Sequence, residues 1–215
     1  MHESLKPGTV NYVGANIDSI WSRMFYHVWW PGQGNDPMYL VNTNMNQSRN
    51  NYYGNNYTPH MYTNGTDSGS NTTNWKNDPK NFLNEVGLHE IKITGTQSEN
   101  SIDFTIVSSS VKSSKEGEDV RLFVATVMDE DNYLNSYNGL TNHHSAVIEL
   151  LLGNAGKKIS YIGSVNYIES FNWTIPDSWL DHRELTFDSN DLTVIAWIQN
   201  YSTKNILQVA EFNFD

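Results

Sequence analysis

At 215 residues the chain can hold one large or two small domains with a buried core. A net charge of -11 argues against nucleic acid as a partner, and zero cysteines exclude a disulfide framework, Cys-ligated zinc and thiol chemistry. Charged residues are only 17% and aromatics 13%, so the polar surface is carried by Asn, Ser, Thr and Tyr, and the chain is too aromatic for a disordered one.

Taken in order, residues 4–24 begin with a Pro-Gly turn. Val13, Ile17, Ile20, Trp21 and Met24 then follow helical spacing and predict a helix over 13–24, weakened by Gly14. The run FYHVWW at 25–30 predicts a buried strand stopped by Pro31-Gly32. Asp36-Pro37 supplies an N-cap and a proline at the first helical position, and Met38, Val41, Met45 and Tyr52 fall near one face of the helix it opens. A second strand is entered through Thr58-Pro59. Residues 63–80 read as a long loop of Gly, Ser, Asn and Asp. A second Asp-Pro pair, at 78–79, opens a couple of helical turns.

After Gly87 the apolar period changes to two. Residues 88–94 and 101–107 alternate around a hairpin turn at Glu99-Asn100. Further strands are expected at 119–128, 145–152, 158–170, 193–199 and 206–214, separated by Gly, Asn, Asp and Ser clusters. That spacing predicts an antiparallel β-sandwich, Ig-like or jelly-roll-like, over 87–215. Residues 1–86 form the other domain. No apolar run reaches the length of a membrane span. The opening MHES is not a secretory leader, so the chain is either cytosolic or an exported one whose leader has been removed.

The candidate sites each have a plainer reading. His27, Trp29 and Trp30 close the expected strand at 25–30 and could line a groove for a peptide or sugar, or be core. Pro59 and His60 stand beside them, structural first and a binding determinant second. Tyr52, Tyr53, Tyr57, Tyr62 and Trp75 concentrate aromatics around the long loop, a composition shared by recognition surfaces, subunit interfaces and ordinary loop packing. Asp129, Glu130, Asp131, Asn132 and Asn135 gather oxygens that suit Ca²⁺; the spacing departs from the EF-hand pattern, and a solvated acidic loop is the simpler account. His143 and His144 are adjacent, so on a strand they face opposite ways and serve one metal ion poorly. No G-x-S-x-G elbow, phosphate-binding loop or dinucleotide glycine motif is present. The residues therefore assign no catalytic group and no cofactor, and the expectation is a protein that is not an enzyme. Six Asn-x-Ser/Thr sequons, at Asn46, Asn56, Asn64, Asn71, Asn172 and Asn200, are explained mainly by an Asn-rich composition.

The order strand, helix, loop, Pro-led strand looks like the middle of a thioredoxin fold, in which a cis-proline opens the third strand; Thr58-Pro59 stands in that place. More specifically, YHVWWPG followed by DPMY, an Arg, YYG, a Pro and an NG turn resembles the thioredoxin-like domain of the Omp-twenty-eight-related outer-membrane proteins of Bacteroidota. RLFVATVMDED, TNHHSAVIELLL-GNAG and LTVIAWIQNYSTKNILQVAEF resemble that family's C-terminal β-domain, and the resemblance covers most of 22–213. It implies an α/β plus all-β chain: an incomplete or degenerate thioredoxin-like domain followed by the sandwich. It also implies export to the outer membrane, cell surface or exterior, with membrane attachment only through a removed leader or lipid anchor. The Cys-x-x-Cys that thiol exchange needs is missing. The expected function is therefore non-catalytic binding of protein, self-association included, with carbohydrate as a further ligand class. Two alternatives stand beside it. One is a subunit of an extracellular filament or surface layer joined through sheet edges, because the first strand of the fold is absent. The other is a fragment of a thiol-disulfide protein whose cysteines lie upstream.

Overall fold

The structure is a computed structural model that describes residues 11–12, 15–16, 21–30, 32, 35–83, 85, 87–133, 139–162 and 165–214. Its axis is the apolar run VRLFVATVM, which lies in β7 (Val120–Tyr133). Along one edge β7 pairs antiparallel with β12 (Leu192–Asn200) and, further on, β11 (Leu185–Phe187). Along the other it pairs with β8 (Asn142–Leu150) and β9 (Lys157–Lys158). β13 (Ile206–Asn213) joins β12 and completes a six-stranded sheet. β12 is buried at every position from Leu192 to Gln199, which explains why LTVIAWIQ does not alternate: both faces of this sheet are covered.

One face carries Leu122, Val124, Val194, Ala196 and Ile198, and shares an apolar cluster with a second sheet. That sheet has the order β10 (Tyr167–Thr174), β6 (Ser101–Ser110), β5 (His89–Ser98), with Ile91, Ile93, Ile102, Phe104 and Ile106 turned inward. Its strict alternation is that of a sheet with one wet face. Glu99, with φ 51°, makes the β5–β6 turn where the sequence places it.

The opposite face of the large sheet, with Phe123, Ala125, Val127, Ile195 and Trp197, is covered by Tyr26 and Met45. The cover consists of residues 21–30, α1 (Pro37–Leu40) and α2 (Thr43–Tyr53). Met38 of α1 belongs to the same apolar cluster as Val124 and Ile148, so the chain before Gly87 shares its core with the strands after it. Ahead of the cover, β1 (Asn11–Tyr12) pairs with β2 (Ala15–Asn16). After it come the hairpin β3 (Met61–Thr63) and β4 (Thr66–Gly69), α3 (Thr72–Asn77) and a 3₁₀ turn over Asp78–Phe82. The Thr58–Pro59 bond leading into β3 is cis. The described chain is thus β-rich and antiparallel with few helices. No described helix is long and apolar enough to cross a membrane.

Several local expectations are corrected. Residues 25–30 do not form a strand. Phe25 makes one parallel bridge to Ala146, its N–H donating to the Ser145 carbonyl at 2.8 Å, and then the His27 N–H turns to the Asn46 Oδ1 at 3.0 Å. A side chain takes the donor that a neighbouring strand would need, and pairing stops there. The helix expected over 13–24 gives way to the β1–β2 pair and irregular chain at 21–24; its remaining positions lie outside the described residues. The helix opened by Asp36, which accepts from the Met38 N–H at 2.9 Å, ends at Leu40. Asn42 then caps a second helix through the Met45 N–H at 3.2 Å, and Gly54 closes it in the left-handed conformation. The loop expected at 63–80 contains β4 and α3, because Asn71, a loop residue by composition, caps α3 through the Thr73 N–H. The strand expected at 158–170 is reduced to β9 and the start of β10. Among the described residues before Gly87 there are two two-stranded pairs and no larger sheet.

The β3–β4 hairpin sits on the turn between β12 and β13. The Ile206 N–H donates to the Asn64 carbonyl at 3.3 Å. Gly65 has φ +85°, and a Cβ there would fall 1.9 Å from the Lys204 carbonyl oxygen. Gly65→Ala is expected to lower stability by roughly 2–3 kcal/mol, from left-handed strain plus backbone displacement. Urea unfolding reads this, and an unchanged midpoint would show that the hairpin is not seated on that turn.

Candidate functional site

The covered face of the large sheet has two polar ends. At one end Arg49 of α2, 3% exposed, lies inside five aromatic rings. Its guanidinium carbon is 5.6 Å from the Tyr26 ring, 5.0 Å from Tyr52, 5.1 Å from Tyr53, 5.1 Å from Phe123 and 5.7 Å from Trp197. Nη2 donates to the Tyr53 hydroxyl at 3.4 Å, while Nε and Nη1 have no hydrogen-bond partner among the described residues. The charge is held by ring faces instead of a carboxylate. Burial pushes the Tyr26 hydroxyl up to about 12, so this wall of the cage stays neutral.

From the cage a ladder of rings runs outward. Tyr57 stacks on His60 at 4.3 Å, His60 on Tyr62 at 4.5 Å, and Tyr62 meets Tyr53 at 4.4 Å. On the neighbouring side Tyr52 stacks on Tyr201 at 4.6 Å, with the Arg121 guanidinium 3.7 Å from that ring. Lys204 sits 5.5 Å from Tyr52 and 5.6 Å from Tyr53. The ladder is pinned by polar contacts: His60 Nε2 to Asp67 Oδ1 at 2.7 Å, Gln199 Nε2 to the Tyr53 hydroxyl at 3.2 Å, and the Tyr52 hydroxyl to the Tyr201 carbonyl at 2.8 Å. Of the residues singled out as a surface from sequence, Tyr53, Tyr57, His60 and Tyr62 therefore meet in one stack, with Pro59 exposed beside it. His60 and Trp75 are buried and are corrected as contact residues; Trp75 donates from Nε1 to the Gly69 carbonyl at 2.7 Å. Trp29 and Trp30 stand elsewhere, half-buried, with Trp29 packed on Tyr39 at 5.7 Å.

The other end is an acid–histidine centre. His27, expected at a groove, is only 3% exposed, and its Nδ1 lies 2.7 Å from Asp36 Oδ2. Its ring centroid is 5.8 Å from that of His143. His143 lies opposite Asp131 in the β7–β8 register. Asp131 is fully buried, and neither carboxyl oxygen has a hydrogen-bond partner among the described residues. Burial drives its pKa up to about 7, with His27 opposing and Asp36 adding to the rise. Burial would also raise Asp36, yet His27 and the Met38 N–H outweigh it and hold that carboxyl below its usual range. Burial, then His27, lowers the His143 imidazole.

This corrects the solvated acidic loop. β7 continues through Tyr133, so Asp129, Asp131 and Asn132 are strand residues. Asp129 accepts from the Thr193 hydroxyl at 3.0 Å, Asp131 is interior and Asn132 is exposed; Asn135 lies outside the described residues. His143 and His144 do face opposite ways, the latter 3.6 Å from Glu130. Among the described residues no three His, Asp or Glu side chains are arranged to hold a metal ion. Sequence reasoning missed the centre because its members come from three distant segments with no local spacing to betray them. The Asn46 sequon is also interior: its side chain accepts from the His27 N–H and donates to the Met38 and Asn42 carbonyls.

Neither a family model nor a curated protein sequence matches the chain. Among solved structures, a domain of the outer membrane lipoprotein Omp28 from Porphyromonas gingivalis is similar with TM-score 0.41 at 9% identity, over 61% of this chain and 91% of that one. A β-glucosidase from Kluyveromyces marxianus gives 0.30 at 13% identity, over 59% of this chain and 14% of the enzyme. One from Listeria innocua gives 0.26 at 7%, over 58% and 16%. Scores this low establish neither fold nor function for this chain.

Proposed function

We propose that the protein is a non-catalytic, exported binding protein whose contact surface is the outer part of the aromatic ladder: Tyr57, Pro59 and Tyr62. The observation that carries this is the stack itself. Rings already fixed against one another lose little rotamer freedom on association. Protein is favoured over sugar as the partner because the stacked faces are turned to each other and the ladder presents mainly edges.

A photo-crosslinking residue placed at position 57 in the native cell tests this, with position 96 on the outer face of β5 as control. Discrete adducts from 57, absent from 96 and lost on Tyr62→Ser, are expected. Equal patterns from both positions would overturn the reading. An adduct of twice the chain mass would identify the partner as a second copy, the outcome the filament or surface-layer alternative requires.

Kinship with the Omp28-related proteins is part of the same proposal and rests on the motif order of the sequence. The thioredoxin-like ancestry of residues 1–86 is supported by Thr58-Pro59 leading into β3, and opposed by the single bridge at Phe25. The mass of the native chain tests this part: an upstream extension with two cysteines would favour the redox-fragment alternative, and protection from protease on intact cells would count against surface exposure.

A further inference from the structure

We infer that the acid–histidine centre is a proton-operated fastening between the cover and the large sheet, closed while Asp131 keeps its proton and loosened when it gives it up. The geometry points to this because the four groups divide across the seam. His27 and Asp36 belong to the cover; Asp131 and His143 belong to β7 and β8. With its proton, Asp131 adds no charge to a space that already holds the Asp36 carboxylate. Without it, a carboxylate with no hydrogen-bond partner among the described residues sits fully buried at the seam, a cost that the attraction of His27 does not offset and that hydration through an opened cover relieves.

The other charged groups nearby are engaged elsewhere. Glu130 pairs with His144 on the far side of β7, and Asp129 is bonded to Thr193 of β12. Arg23 acts on Asp129, Asp129 acts on Glu211, and Glu184 and Asp36 act on Tyr133. Among the described residues the imidazoles of His27 and His143 are the basic groups that face Asp131 and Asp36, and His27 attracts Asp131 more than Asp36 repels it, so burial sets the cost of ionisation.

The far end of α2 is held to the sheet by Gln199 on the Tyr53 hydroxyl, by the Tyr52 hydroxyl on the Tyr201 carbonyl and by the Arg49 cage; nearer the centre the described polar ties are these. Phe25 shares two backbone bonds with β8, at 2.8 and 3.1 Å. The Asn42 side chain donates to the Ile148 carbonyl at 3.1 Å, and the Asn154 side chain donates to Asn44 Oδ1 at 2.9 Å. Hydration of the ionised Asp131 carboxylate therefore moves the cover before it disturbs the paired strands.

Hydrogen exchange followed by mass spectrometry, corrected for the intrinsic pH dependence of amide exchange, tests this on the full chain. Between about pH 6 and about pH 8.5, protection of amides in 25–46 is expected to fall about tenfold or more, through an opening less urea-dependent than the one that exposes β12. In Asp131→Asn the same amides are expected to stay protected at both values. Equal protection of the wild-type cover at both pH values, or a loss that persists in Asp131→Asn, would overturn the proposal. The carboxyl ¹³C shift of Asp131 in the unaltered chain supplies a check that no variant can spoil: an ionised shift already at about pH 6 refutes it. Restoration of protection by stoichiometric zinc would also refute it, because Asp131 would then be a cation ligand.

Discussion

Arg49→Ala is expected to lower the free energy of unfolding by roughly 3–5 kcal/mol, whereas Arg49→Met is expected to lose less than about 1.5 kcal/mol. The side chain fills a space bounded by Tyr26, Tyr52, Tyr53, Phe123 and Trp197, so truncation opens a cavity in the middle of an aromatic cluster. It also removes an ion–ring attraction that is worth about 2 kcal/mol when desolvated. Against this stands the desolvation of a cation whose Nε and Nη1 have no hydrogen-bond partner among the described residues, several kcal/mol that the variant recovers. Methionine keeps most of the volume without that penalty. Urea unfolding of the three proteins reads the comparison. If the methionine variant falls as far as the alanine one, the charge itself, and not the filling of the cage, holds the rings in place. If neither falls, the cage is not closed around Arg49.

The second large effect depends on pH. A carboxyl whose folded pKa lies above its unfolded one contributes its stability below the unfolded value and loses it as pH rises to the folded one. For Asp131 that window runs from 3.8 to about 7. A rise of that size corresponds to about 4 kcal/mol. Asp36 has the opposite sign: its depressed pKa contributes stability that is lost as pH falls, so the wild-type profile alone mixes the two. Asp131→Asn separates them, because the amide is neutral throughout and close in shape. The variant is expected to match wild type near pH 4 and to exceed it by roughly 3–4 kcal/mol near pH 8. Parallel curves across that range would show that Asp131 does not titrate on folding.

The strands after Gly87 could be read from the chain because their causes are local. Ile91, Ile93, Ile102, Phe104 and Ile106 alternate, and the Glu99-Asn100 turn fixes their register. The cover could not. α2 buries Met45 but also Asn46, Arg49 and Asn50, so the face that packs is largely polar and has no apolar stripe to reveal it. The run at 25–30 looks like a strand by composition, yet the His27 N–H is claimed by Asn46, a contact that exists only once α2 has docked. The ladder was half visible, as a crowd of tyrosines around Thr58-Pro59; that Tyr201, Arg121 and Lys204 join it depends on the β12–β13 turn. His27, Asp36, Asp131 and His143 each have an ordinary local explanation, and only the tertiary fold brings them together.

The two-sided burial of β12 has a practical consequence. LTVIAWIQ is uncharged, lacks proline and glycine, and is rich in β-branched residues, which is the composition of a segment that stacks into fibres when left bare. A product cut to begin at Gly87 would strip Tyr26, Met45 and Arg49 from one side of it and leave that face bare, so aggregation is the expected result. Recombinant work on the sandwich alone therefore belongs with α1 and α2 still attached.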